Sequence, residues 1–204
     1  MPETLLPLTV RPELSKITLK QLQDFYMLYL YPYEYKYNLD NGITVVLNFE
    51  LDQFAHLAGL HYIKTNDRKF KKYKGSYAYD LINSGDLTIE ELKKVNRGEF
   101  NSQKQRLLST HLIYHIVNAP NEFIIDFKPP EGDKSKMQTD LIMHSDKVGK
   151  SLVLGIRKVD IDNNIYICAP NTLLINRNEK YTDGQDTFKI NEYSVVKKIK
   201  DEIE

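Results

Sequence analysis

The sequence is poor in cysteine, in long apolar runs and in any surplus of charge. Cys168 is the only cysteine, so no intrachain disulfide forms and no cysteine-based zinc site fits within one chain. A reducing cytoplasm is the expected compartment. The longest continuous apolar run, residues 25–31, is too short to span a bilayer, so no membrane partner is expected. The first residues, Met1-Pro2-Glu3-Thr4, carry an acid and no basic cluster, unlike a secretory signal. Lys and Arg number 28 and Asp and Glu number 28. That balance excludes a uniformly basic polyelectrolyte binder but leaves room for a local basic patch. Internal repeats, low-complexity tracts, Gly-rich phosphate loops, the GxSxG elbow and kinase motifs are also missing.

What is present is a chain of 204 residues, 41% apolar and 27% charged. That suffices for one domain with its own core and no staples. Pro2, Pro7 and Pro12 punctuate an extended arm. Leu19, Leu22, Phe25, Tyr26, Tyr29 and Leu30 then recur at helical spacing behind Thr18, a candidate N-cap, and the helix should end before Pro32. Residues 33–38 alternate and residues 43–49 are apolar and β-branched. Asp40-Asn41-Gly42 lies between them, which predicts a hairpin.

Residues 50–60 read as a helix with Gly59 near its end. A short helix is expected over 77–83, and another from the capping box Thr88-Ile-Glu-Glu91. Residues 101–118 read as the longest helix, ended by Pro120. Strands are expected over 122–127, 139–143, 151–159 and 165–169, with 153–169 as one long hairpin. Residues 195–203 read as a charged terminal helix. The fold class is therefore α+β: an N-terminal β-hairpin and helices, followed by a curved antiparallel β-sheet. Its expected divisions are an arm and helix (1–32), the main α+β domain (33–195) and a charged helix or tail (196–204).

Four groups of residues carry chemistry. His56 lies four residues after Asp52, a spacing at which the carboxylate would orient the imidazole and raise its pKa. His61 follows Gly59, where a loop can aim it into a cleft. Two histidines and the nearby Lys64 suit metal-free RNA cleavage: a base for the 2′-hydroxyl, an acid for the leaving oxygen, a cation for the phosphorane. Alternatively, both histidines simply pack against the helix.

His111 and His115 have the i, i+4 spacing of metal ligands, but they lie on an apolar stripe and read better as core histidines. Residues 64–74 hold six basic residues against Asp67, with Phe70 and Tyr73 among them. Lys64, Lys69, Lys71 and Lys72 are candidates for binding a phosphate backbone; a solvated loop is the bland alternative. Arg106 and Arg157 are two of six arginines, and the guanidinium fork suits phosphate. Arg157 and Lys158 are adjacent on an expected strand and should point to opposite faces. Cys168 sits in an apolar strand and reads as packing.

The segment Phe54-Ala-His-Leu-Ala-Gly-Leu-His61 resembles the His-Leu-x-Gly-Leu-His signature of the phage-type Barnase–EndoU–colicin–RelE-like nucleases. The preceding hairpin, the helix with Arg106 and the step Ala169-Pro-Asn-Thr172, which looks like the family's Pro-x-Ser/Thr, extend the resemblance over about residues 33–195. Where the signature continues with a basic residue after the second His, this chain has Tyr62. The resemblance implies a ribonuclease of phage or mobile-element origin, acting in a bacterial cytoplasm without metal or cofactor. RNA would lie on the sheet, and an inhibitor or antitoxin protein is a further implied partner. Carried over by position, His56 and His61 would share acid and base roles, Arg106 would be the helix arginine and Thr172 the terminal hydroxyl. From chemistry alone, Arg157 joins the catalytic set, and Lys158 joins Lys64, Lys69, Lys71 and Lys72 as substrate-binding. Two rival readings stay open: a non-catalytic RNA- or protein-binding accessory protein on the same fold, and a metal hydrolase using His111 and His115.

Overall fold

The computed structural model describes residues 1–64, 73–130, 138–149, 151–176 and 179–198. The local signals explain how its elements begin and end. The Thr18 hydroxyl accepts from the Gln21 N–H at 3.0 Å and opens α1 (Leu19–Tyr29), whose stripe Leu19, Leu22, Phe25 and Tyr26 is buried. β1 (Tyr33–Leu39) and β2 (Thr44–Asn48) form the expected hairpin, with Gly42 at φ +82° in its turn. Five helices follow: α2 (Gln53–Leu57), α3 (Gly75–Ser84), α4 (Ile89–Val95), α5 (Arg97–Leu108) and α6 (Ile113–Asn118). Thr88 caps α4 by accepting from the Glu91 N–H at 3.2 Å. The chain ends in strands β3 (Glu122–Ile125), β4 (Leu141–His144), β5 (Leu152–Asp162), β6 (Ile165–Ile175) and β7 (Thr187–Lys197).

The seven strands close into a barrel in the order β1-β2-β6-β5-β4-β3-β7, with β7 returning to β1. The α+β class holds, with two differences in detail. The early hairpin is part of the same sheet, and β2 pairs with β6 in parallel, so the sheet is mixed. β5 and β6 form the long antiparallel hairpin expected from residues 153–169. β3, β4 and residues 152–156 of β5 are buried on both faces, which is why they read as continuous apolar runs, whereas the rest of β5 is largely exposed. Phe123, Leu141 and Leu154 join the main core, whereas Ile124, Ile142 and Val153 pack under Phe127 and Tyr181. The main core reaches from Leu5 and Ile17 to Leu173.

Three further expectations are corrected. The helix expected from 195 does not start there: Val195 and Val196 lie in β7, opposite Tyr35 and Glu34 of β1, and residues 199–203 lie outside the described residues. The open edge of β1 needs a partner, and that pairing overrides the local charge pattern. Residues 101–118 are not one helix. The Ser109 hydroxyl donates to the Gln105 carbonyl at 2.7 Å and Thr110 to Leu107 at 2.8 Å, and the chain tightens to a 3-10 turn over Thr110–Leu112. Such back-bonding competes with the helical ladder. The helix expected over 50–60 is the short α2, followed by a 3-10 turn at Leu60–Tyr62. Among the described residues, no helix is long and apolar enough to cross a membrane.

His111 is buried, edge-on to Phe25 with ring centroids 6.3 Å apart. Burial dominates the pull of nearby backbone groups of Val10, Leu108 and Leu8 and holds its pKa at about 4. The folded protein therefore keeps this ring neutral, and the unfolded chain takes up the proton first as pH falls. The stabilisation is complete above about pH 6.5 and is lost as pH drops through about 4, roughly 3 kcal/mol in all. Urea unfolding at pH 7 and pH 4 should show this loss, and His111→Leu should lose less. Equal slopes in the two proteins would contradict it.

Candidate functional site

α2 and α5 both pack on β6, and this brings the sequence candidates together. The turn after α2 carries the histidine signature. Gly59 accepts the left-handed conformation there, at φ +77°, with its N–H donating to the His56 carbonyl at 3.0 Å. The space beside it is also closed. A Cβ on Gly59 would stand 2.7 Å from Gln103 Oε1 and 3.1 Å from Arg106 Cδ. The reversal returns the chain so that His61 stacks on His56, with ring centroids 4.1 Å apart and 11° between planes. Tyr62 follows, its ring 3.9 Å from that of His61.

Arg106 lies beneath this turn and is only 8% exposed. Its Nε donates to the Leu57 carbonyl at 2.9 Å. One Nη donates both to the His56 carbonyl at 2.9 Å and to Thr172 Oγ1 at 3.0 Å. The guanidinium carbon sits 5.4 Å from the Tyr62 ring centroid, and the Tyr62 hydroxyl faces it. A buried cation with its donors engaged by carbonyls and a hydroxyl is a satisfied one. Arg106 thus ties α2, α5 and β6 together.

Thr172 reaches this position through a bulge in β6. Gly155 pairs with Thr172 and Ile156 with Pro170, so Asn171 is an extra residue with no opposite partner. Pro170 removes a ladder donor at the same point. The bulge re-aims the strand: Thr172 turns inward to Arg106, and the Asn171 backbone is left to hydrogen-bond the His56 ring. Gly155 makes room, since a Cβ there would stand 2.7 Å from the Thr172 methyl group.

His56 opens onto a cleft of about 800 Å³, lined also by Asp52, Gln53, Lys74, Ser76, Tyr77, Arg157 and Asn171. Burial lowers the His56 pKa, and the charges of Arg106 and Arg157 lower it further. The Asn171 backbone and Asp52 oppose this but do not prevail. Asp52 thus pulls the His56 pKa in the direction its spacing predicts, but burial and the two arginines outweigh it. At neutral pH His56 is an unprotonated imidazole, able to accept a proton.

The other candidates are distributed as follows. Arg157 is exposed in the cleft, opposite Ala169 in the β5–β6 register. Lys158 points the other way, as adjacent strand residues must. Its Nζ donates to Asp126 Oδ1 at 2.8 Å and lies 4.4 Å from the Tyr166 ring. Lys64 is exposed and does not line the cleft; its carbonyl accepts from Asn96 Nδ2 at 3.1 Å. Lys69, Lys71 and Lys72 lie outside the described residues. His61 stands behind His56, away from the cleft lining.

His115 Nε2 meets the Leu8 carbonyl at 2.9 Å, so His115 helps to hold the N-terminal arm, while His111 packs in the core. Among the described residues, no group of three or more His, Cys, Asp or Glu is placed to hold a metal ion. Burial pushes the Cys168 thiol up to about 12, which leaves no thiolate for chemistry.

Lys74 belongs to the basic run over 64–74, whereas sequence reasoning missed the cleft residues Ser76, Tyr77 and Asn171. Asn171 was within reach, since it lies inside the Pro-Asn-Thr step. The others depend on where α3 docks, and no local pattern announces that.

No curated protein and no solved structure matches this chain. One family model does match, over residues 18–204. That match is longer than the motif-based resemblance over 33–195 and takes in α1. With its histidine turn, buried helix arginine and bulged Pro-Asn-Thr strand, the chain belongs to the family described as phage-Barnase-EndoU-ColicinE5/D-RelE like nuclease4.

Proposed function

We propose that this nuclease-family protein is a metal-independent endoribonuclease of phage or mobile-element origin, with the His56–His61 stack as its proton-transfer centre. The observation that carries the reading is a histidine lining a cleft, stacked on a second histidine, with an exposed arginine lining the same cleft. RNA is the matching substrate class because its 2′-hydroxyl is an internal nucleophile that needs only a base to activate it.

His56 takes the 2′-hydroxyl proton as the oxygen attacks the adjacent phosphorus. Arg157, exposed in the same cleft, stabilises the phosphorane. Two imidazolium rings 4.1 Å apart repel strongly, by about 4 kcal/mol at an effective dielectric of 20. The stack therefore holds one proton readily and a second reluctantly. Having gained the proton of the nucleophile, the pair gives one to the leaving 5′-oxygen. The P–O5′ bond breaks, and the products are a 2′,3′-cyclic phosphate and a 5′-hydroxyl.

Arg106 and Thr172 act as positioning residues in this scheme. Arg106 fixes the carbonyls on either side of the His56–Leu57 bond, and Thr172 fixes Arg106.

Mixed cellular RNA incubated with the purified protein in EDTA tests the proposal. Cleavage unaffected by the chelator is expected. Intact RNA across a range of pH and salt would refute it and favour a binding role for the same cleft.

A further inference from the structure

The chain departs from the histidine signature at the residue next to His61. Where the signature has a basic residue, this chain has Tyr62. The Tyr62 ring lies 3.9 Å from the His61 ring, centroid to centroid, with 42° between planes. His61 in turn stacks on His56 at 4.1 Å. His61 is thus in ring contact with both. Tyr62 is 41% exposed, yet it is anchored: its hydroxyl faces the Arg106 guanidinium, whose carbon lies 5.4 Å from the ring centroid. Arg106 is itself fixed on the carbonyls of His56 and Leu57, so Tyr62 is tied to the same turn as the two histidines.

What stands beside His61 decides how readily it holds a proton. A lysine or arginine would set a second cation against the ring and oppose the charge. The π-face of a tyrosine is negative and favours a cation beside it. His56 has the opposite surroundings. Arg106 of α5 and Arg157 of β5 oppose a proton on it, as does burial. The Asn171 backbone in β6 and Asp52 before α2 favour one and are outweighed. Two stacked rings share one proton more easily than two, so a bias at either ring decides where the first proton rests.

We infer that Tyr62 is a positioning residue whose ring, laid against His61, holds the proton of the stack on His61 and leaves His56 free to act as the base. The role of His56 here rests on the ribonuclease reading above; the place of the proton does not. A substitution that looks like a loss of charge in the signature is then a change of device. The cation is supplied by Arg157 in the cleft, and the position after the second histidine serves to place a proton.

The test follows the histidine ring nitrogens by NMR as pH is lowered, without RNA, with His56→Gln and His61→Gln used to assign the signals. In the wild type His61 should follow the first protonation step of the pair and His56 the second. Tyr62→Leu removes the ring and should lower the His61 step by about half a pH unit, the size of an exposed cation–π contact. Tyr62→Phe keeps the ring and should restore most of that shift. Tyr62→Lys returns the charge of the signature and should lower the step further. With RNA, Tyr62→Leu should lose kcat and keep its KM. A first proton on His56 in the wild type would overturn the inference. So would a His61 step unmoved in Tyr62→Leu and Tyr62→Lys, or one lowered equally in Tyr62→Phe and Tyr62→Leu, which would give the role to the hydroxyl. A raised KM with the titration of the free protein unchanged would also overturn it, and would mean that the ring stacks on an RNA base. The expected titration without cleavage by the wild type would strike the ribonuclease reading alone.

Discussion

Replacing His56 by alanine should lower RNA cleavage by about 10²–10⁴-fold, the usual contribution of a positioned acid–base group. In the proposed mechanism the imidazole is the proton acceptor, and burial together with Arg106 and Arg157 lowers its pKa. Because its pKa is lowered, the rate should rise with pH through a point below about 6.5 and be near its plateau at neutrality. His61→Ala should also cut the rate. Circular dichroism of each variant separates loss of chemistry from loss of fold, and His56→Gln offers a polar replacement if alanine disturbs the turn. Unchanged cleavage by the double variant would end the histidine mechanism.

The second large effect is expected at Arg106. Arg106→Ala would strip the carbonyls of His56 and Leu57 and the Thr172 hydroxyl of their shared donor in a buried position. A loss of about 3 kcal/mol in folding stability is expected, as when one partner of a buried polar network is removed. Arg106→Lys keeps the charge but lacks the planar fork that bridges three acceptors. It should fold, bind RNA with nearly unchanged KM, and lose kcat because His56 is no longer held. A guanidinium that contacted substrate directly would instead show its loss in KM as well. Gly59→Ala should act on the same contact from the other side. The left-handed φ of +77° costs an L-residue about 1–2 kcal/mol, and the added Cβ presses on Arg106 Cδ. Denaturant melts of these variants, read with their kinetics, check the account. An Arg106→Ala protein as stable as wild type would contradict it.

Much of this site is legible in the sequence, and physical reasons divide what can be read from what cannot. His56, Gly59 and His61 are neighbours in the chain, and their geometry is set by one turn whose glycine is visible. Arg106 and Thr172 come from elements far apart in sequence, and a family resemblance places them where spacing alone does not. The balance of forces on His56 is hidden. Asp52 is visible four residues away, but burial and two distant arginines outweigh it. The local capping and turn signals at Thr18, Asn41-Gly42 and Thr88 carried through because they depend only on adjacent residues. The single helix expected over 101–118 did not, nor did the helix start expected at 195. A back-bonded Ser109 interrupts one, and the need of β1 for a neighbour turns the start of the other into strand. Zero net charge, which at first argues against nucleic acid, is compatible with a cleft that sets Arg157 and Lys74 against a single unpaired Asp52.

The most direct measurement is the chemistry of the ends produced when wild type cuts a defined RNA in EDTA. Mass spectrometry of the fragments should find 2′,3′-cyclic phosphates, or the 2′- or 3′-phosphates left by their hydrolysis, with 5′-hydroxyls on the downstream pieces. Fragments carrying 3′-hydroxyls and 5′-phosphates would mean that water, not the 2′-oxygen, attacked phosphorus, and would contradict the mechanism built on His56 and His61.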